Sequence, residues 1–301
     1  MQFKHTVSLF TTNLSLSYKV LILIFVVYII AAAIFVSIID PLLDGLFNVL
    51  QFEGLSLLLR DIIQNPVDKL SEIWTISRNF LSDNIGMLVS RLLYLGLLLV
   101  MVRFFISISL TPISKMIFSK MTSGYSNGLF SNLIASLLPS LGYAFFSSII
   151  FALADIGLFF LCLSLFFWLY KLIKIGSLLF VFAFFIIVFS IRIALFSQWL
   201  SVICDGQRNI FKALVEGVKL SLASFKDYFP IILTFVAVYI TIFTTSAFTT
   251  FGVLPIITLP MFLILYCTAN LTCYFDLKNK KYYIDDGITV YDPTTRLKNK
   301  K

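Results

Sequence analysis

Not one charged residue lies between Asp227 and Asp276. A helix needs about 20 apolar residues to cross a ~30 Å hydrocarbon core, so this stretch can cross twice. Comparable runs recur along the chain, and the composition agrees with them. Hydrophobic residues make up 59% and charged residues 13%, against about 45–50% and about 25% in soluble domains. These values exclude a water-soluble domain, a disordered chain and a coiled-coil rod. The chain reads as a polytopic integral membrane protein.

Six spans follow from the placement of charge. Val20 to Ile39 is uncharged and long enough for the first. Ala31-Ala32-Ala33 resembles a signal-peptide cleavage site, but the apolar run continues past it, which favours an uncleaved span. The second covers Leu92 to Leu110 around Arg103, and the third Gly142 to Leu169 around Asp155. The fourth runs from Ile175 to Trp199 and contains Arg192. The last two, Ile231 to Thr250 and Ile256 to Phe275, are joined by a hairpin at Gly252 and Pro255. Six spans put both termini on one side. That side holds fifteen Lys and Arg and the other six, with Arg103 and Arg192 inside spans, so both termini are expected in the cytoplasm. The expected order is a cytoplasmic N-terminus at 1–19, a first span at 20–39 and an extracytoplasmic helical segment at 40–90. A five-helix core at 91–275 and a basic cytoplasmic tail at 276–301 complete it.

The segments outside the spans carry helical patterns. Asp40-Pro41 is expected to start a helix, because proline suits a first turn; Asn65-Pro66 separates it from a second that reaches Leu81. The seven acids here (Asp40, Asp44, Glu53, Asp61, Asp68, Glu72 and Asp83) read as polar helix faces rather than a catalytic carboxylate pair. On the cytoplasmic side, Leu129, Phe130, Leu133, Ile134, Leu137 and Leu138 form one apolar stripe. Phe211, Leu214, Val215, Val218, Leu222 and Phe225 form another, with Lys212, Lys219 and Lys226 opposite. A basic face set against an apolar one predicts helices lying in the membrane interface. An ordinary extension of the following span is the competing reading.

An internal repeat is visible as well. Leu92-Leu93-Tyr94-Leu95-Gly96 aligns with Leu172-Ile173-Lys174-Ile175-Gly176, and Phe104-Phe105-Ile106 with Phe184-Phe185-Ile186, at an offset of 80. After a slip of one residue, Phe130, Leu133, Ser140 and Leu141 fall on Phe211, Leu214, Ser221 and Leu222. The unit is span, amphipathic helix, span, repeated in parallel. The expected fold is therefore all-α: a polytopic six-helix transmembrane bundle with amphipathic interfacial helices and a parallel internal repeat.

Gly206-Gln207-Arg208-Asn209-Ile210-Phe211-Lys212-Ala213-Leu214, followed by Ser221-Leu222, Phe229-Pro230 and the closing Tyr274-Phe275-Asp276-Leu277, resembles a recurrent bacterial membrane pattern. The pattern is that of the membrane-domain family fused to some glycerophosphodiester phosphodiesterases, and it covers residues 90–280. The likeness implies a bacterial cytoplasmic membrane and carries over no catalytic residues. The stretch after Phe275 is too short for the phosphodiesterase domain.

Charges inside spans are costly and mark candidate sites. Arg103 and Asp155 stand at comparable depth in neighbouring spans and are expected to pair. Arg192, close to Trp199, is expected to reach the cytoplasmic interface, where Trp199, like Trp168 and Tyr170, serves as an interfacial aromatic. Thr244, Thr245, Ser246, Thr249 and Thr250 are expected to bond across helices. Cys162, Cys204, Cys267 and Cys273 read as small hydrophobes, and a lone His5 makes no zinc site or triad. Scarce glycine argues against glycine-mediated helix crossings. No nucleotide-binding, metalloprotease or hydrolase motif is present, so no cofactor, metal, catalytic residue or nucleic-acid partner is expected. The expected partners are the lipid bilayer, anionic lipid head groups at the basic segments, and another membrane protein. The function expected is a non-enzymatic accessory or scaffold, with a small transporter or lipid-handling permease using Arg103 and Asp155 as the alternative.

Overall fold

The computed structural model describes residues 2–50, 75–76, 79–80, 82–125, 128–173, 176–249, 253–285 and 289–294. Among them are eight α-helices: α1 (Gln2–Thr12), α2 (Ser17–Leu50), α3 (Ile85–Ser123), α4 (Leu129–Ala135), α5 (Leu137–Ile173), α6 (Gly176–Cys204), α7 (Ile210–Thr249) and α8 (Val253–Leu277). A 3₁₀ turn at Leu14–Leu16 and an antiparallel pair of two-residue strands, β1 (Tyr282–Tyr283) and β2 (Val290–Tyr291), complete the list. Six helices are long and apolar enough to cross a membrane. Helices suit that solvent because they satisfy every backbone donor and acceptor internally. The chain is a multi-pass membrane protein with an all-α bundle.

Two compact units divide the chain: Met1–Val26 with Arg103–Lys301, and Val27–Val102. In the second, α2 does not restart at Asp40-Pro41 as expected; it runs through Pro41 to Leu50. The proline removes one backbone donor, a loss that apolar surroundings tolerate where nearby groups re-satisfy the carbonyl. The Phe80 ring seats on Gly45, where an added Cβ would meet it at 2.9 Å. The Asn65-Pro66 break, four of the seven acids (Glu53, Asp61, Asp68 and Glu72) and the turn around Gly252 lie outside the described residues.

In the first unit the α6–α7 hairpin is the most extensively packed pair. Its turn is set locally. Gly206 takes φ +108°, and the Gly206 and Gln207 amides bond back to Ile203 and Val202, a helix stop that glycine favours. Asn209 then caps α7, its side-chain oxygen accepting the Lys212 amide at 3.0 Å. Ala213, Gly217, Ser221 and Ser224 form the buried face of α7, which continues through Tyr228, Ile232 and Val236 against Ala194, Ala269 and Cys273. Small residues let helices approach closely where lipid offers no hydrophobic drive for association. Serine and alanine therefore do most of what scarce glycine was expected to leave undone, and Gly217 does the rest.

The N-terminal residues, read from sequence only as a cytoplasmic segment, form α1. Its buried face is His5, Thr6 and Leu9. The Thr6 and Thr272 hydroxyls share a hydrogen bond at 3.0 Å, and His5 Nδ1 bonds the Tyr282 hydroxyl at 3.0 Å. The Lys120 ammonium donates to the Thr12 carbonyl at 3.3 Å. The start of the chain and the β1–β2 strands thus share one end of the bundle. Single cysteines at Lys4 and Lys281, on a background whose native thiols are buried and free, are expected to label from the same face of sealed vesicles. Labelling from opposite faces would exclude an even number of crossings.

Candidate intramembrane charge site

Arg103, Asp155 and Arg192 come from α3, α5 and α6. Asp155 sits between the two arginines, with Oδ2 paired to Nη2 of Arg103 and Oδ1 to Nη1 of Arg192. Arg192 also donates to the Phe151 carbonyl at 3.3 Å, and its guanidinium lies over the Phe189 ring at 4.4 Å. The side chains of Arg103, Asp155 and Arg192 are 23%, 18% and 13% exposed, so the group is neither sealed nor open. Asp155 is the only acid between Asp83 and Asp205. The group therefore carries two positive charges and one negative.

The expected place of Trp199 at the interface is corrected by this geometry, and Arg192 has a partner that was not expected, Asp155. Trp199, which marked that interface, is fully buried. Its ring meets Tyr143 edge-on at 5.0 Å, and its Nε1–H donates to the Ile210 carbonyl at 3.1 Å. Trp168 and Tyr170, by contrast, are exposed near the end of α5.

The basic face is displayed differently from the interfacial helix expected. Lys212, Lys219 and Lys226 are exposed, but they belong to one continuous helix of 40 residues, α7. The competing reading, an extension of the fifth span, describes it. Of the expected apolar stripe, Phe211, Val215 and Leu222 are exposed beside the lysines, and Leu214, Val218 and Phe225 are half-buried. Phe130, Ile134 and Leu138 are likewise exposed on α4 and the start of α5.

Other polar residues turn inward to the protein. Thr244, Thr245 and Ser246 donate to carbonyls of their own helix; Thr250 and the side chain of Thr249 lie outside the described residues. In the basic tail, Lys278 pairs with Glu216 at 3.0 Å and Lys280 with Asp205 at 2.6 Å. Tyr274 donates to that same aspartate at 2.6 Å. Lys281 pairs with Asp292, whose carboxyl is pushed down to about 2 by the Thr294 hydroxyl and Lys281. Its folded value is the lower one, so that contact stabilises above the ordinary carboxylate range and is lost as pH falls towards 2. These lysines engage acids of the same chain; 298–301 lie outside the described residues.

No family model, curated protein or solved structure matches the chain. Its fold and composition make it a multi-pass membrane protein, and the charged group within its spans is the chemistry that sets it apart from a plain apolar bundle.

Proposed function

We propose that the chain is a non-enzymatic accessory or scaffold of a bacterial cytoplasmic membrane, with both termini in the cytoplasm. The excess of Lys and Arg at the terminal end supports that orientation. The same reading makes it a relative of the membrane domains that accompany glycerophosphodiester phosphodiesterases. One observation carries the scaffold role. Helix α7 is roughly 60 Å long at about 1.5 Å per residue, about twice the hydrocarbon thickness. Its charged first half must therefore extend beyond the hydrocarbon. That half exposes Phe211, Val215 and Leu222 at 59%, 54% and 58%, next to Lys212 and Lys219. Large apolar side chains displayed outside the bilayer core, rimmed by charge, are how proteins present a face to a partner or to the headgroup layer.

A photo-crosslinking residue at Val215 is expected to give a discrete protein adduct in native membranes. The same residue at Leu153, exposed at 66% in mid-span, is expected to give only lipid. Equal adducts at both positions, or lipid alone at both, would remove the scaffold reading. The second reading, a small transporter or lipid-handling permease, is favoured by the Arg–Asp–Arg group, because charges inside spans commonly mark substrate paths. Uptake that depends on Arg103 and Arg192 is its signature.

A further inference from the structure

The charge group points to an occupant. Each oxygen of Asp155 meets one arginine, and its single negative charge balances only one of the two guanidinium groups. A guanidinium has five N–H donors in a planar fork. The Nε–H of Arg103 and that of Arg192 are buried and have no acceptor among the described residues. One surplus positive charge remains, and α3, α5 and α6 contain no other acid. An isolated cation within the hydrocarbon is costly and is normally paired.

The surroundings narrow the chemistry of the missing anion. Apolar side chains one turn from each charge are half-buried or exposed: Ile106 on α3, Phe151 and Phe159 on α5, and Phe189 and Phe196 on α6. The group's own partial exposure therefore opens through an apolar wall. An occupant arriving that way has an anionic head and hydrocarbon chains. Two guanidinium groups around one carboxylate match a planar or tetrahedral oxyanion through charge-assisted hydrogen bonds, and the residual charge of one matches a monoanion.

We infer that Arg103 and Arg192 together bind a monovalent phosphodiester, supplied by a membrane phospholipid, with Asp155 holding the two forks in position. The site is independent of the scaffold reading: a lipid held there can be structural cargo or a substrate.

The test uses the full chain purified in a neutral detergent, with thermal unfolding as the readout. Phosphatidylglycerol is expected to raise the midpoint by several degrees, while uncharged diacylglycerol is not. Arg103→Gln and Arg192→Gln each remove the surplus charge and one fork, and each is expected to abolish the shift. A variant with Lys212, Lys219 and Lys226 all changed to Gln is expected to keep it, which separates this site from the basic face. Native mass spectrometry of the Gln variants supplies a second count of bound phospholipid wherever unfolding is too broad to read. Inorganic phosphate at millimolar concentration reproducing the full shift would support the oxyanion site and assign its source to water. A phosphatidylglycerol shift that survives both arginine variants, or vanishes in the triple lysine variant, would overturn the proposal. So would no shift with either phosphatidylglycerol or phosphate.

Discussion

Asp155→Asn is expected to destabilise the bundle more than Arg103→Leu or Arg192→Leu, although it changes the fewest atoms. The charge count decides the order. Losing the acid leaves two guanidinium groups side by side in a low-dielectric region, each deprived of its partner. Breaking a buried pair in this way costs on the order of 3–5 kcal/mol, and here two pairs break at once. Losing one arginine instead leaves a neutral ion pair, and an apolar side chain of similar bulk replaces the surplus charge; that exchange is often neutral or stabilising. Charge reversal sharpens the test. If Arg103 and Asp155 formed an isolated pair, exchanging them would restore the wild type. With Arg192 against Asp155, the exchanged arginine meets a like charge, and the swap is expected to recover only when Arg192→Gln is added. Melting midpoints from size-exclusion chromatography after heating would report all five variants. Equal losses from the three single changes, or full rescue by the swap alone, would remove the three-member group.

How much of this was legible from sequence depended on what each signal competes with. The six crossings were legible because the penalty for a charge or a bare peptide group in hydrocarbon is large, so the apolar runs had few alternatives. The charge site was partly legible for the same reason: Arg103 and Asp155 stand out in runs that otherwise lack charge. Trp199 was misplaced because a tryptophan near a span end looks alike whether it faces head groups or folds beneath the next helix. Only the bond from Trp199 to the Ile210 carbonyl distinguishes the two. Helix α1 escaped notice because its buried face is partly polar, and its histidine and threonine find partners far along the chain.

The amphipathic segment ahead of the fifth span shows the same limit. Hydropathy ranks Phe211, Val215 and Leu222 as the face to bury, yet the buried face is Ala213, Gly217 and Ser221. Where helix backbones touch, as at Gly217 against Trp199, only small side chains fit, and a hydropathy pattern does not encode that closeness. The repeat carries a trace of it. Asn132, Ser136 and Ser140 are buried and stand at the same offset of 81 from Ala213, Gly217 and Ser221, small or polar positions in both copies.

At Gly217 that closeness is between backbones, and Gly217→Leu is expected to separate α6 from α7. Even a Cβ at this position would lie 2.6 Å from both Cα and N of Trp199 and 3.1 Å from the Gln198 carbonyl carbon. Those are backbone atoms in a helix and cannot swing aside as a side chain could, so the whole helix must move. Gly→Ala within a helix ordinarily stabilises by up to about 1 kcal/mol through propensity, whereas overpacking costs about 1–3 kcal/mol. Gly217→Ala is therefore expected to destabilise on balance. Gly157, also helical but with nothing within 4 Å of its added Cβ, supplies the opposite case: Gly157→Ala is expected to be neutral or mildly stabilising. The structural consequence can be read without relying on stability. The Ser197 and Ser221 hydroxyls meet at 3.3 Å across this interface, so a Ser197→Cys, Ser221→Cys pair is expected to oxidise to a disulfide in otherwise wild-type protein. Adding Gly217→Leu should prevent that bond. A disulfide that forms equally well with leucine at this position, or two alanine variants that shift stability in the same direction, would mean that the α6–α7 contact does not depend on the missing side chain.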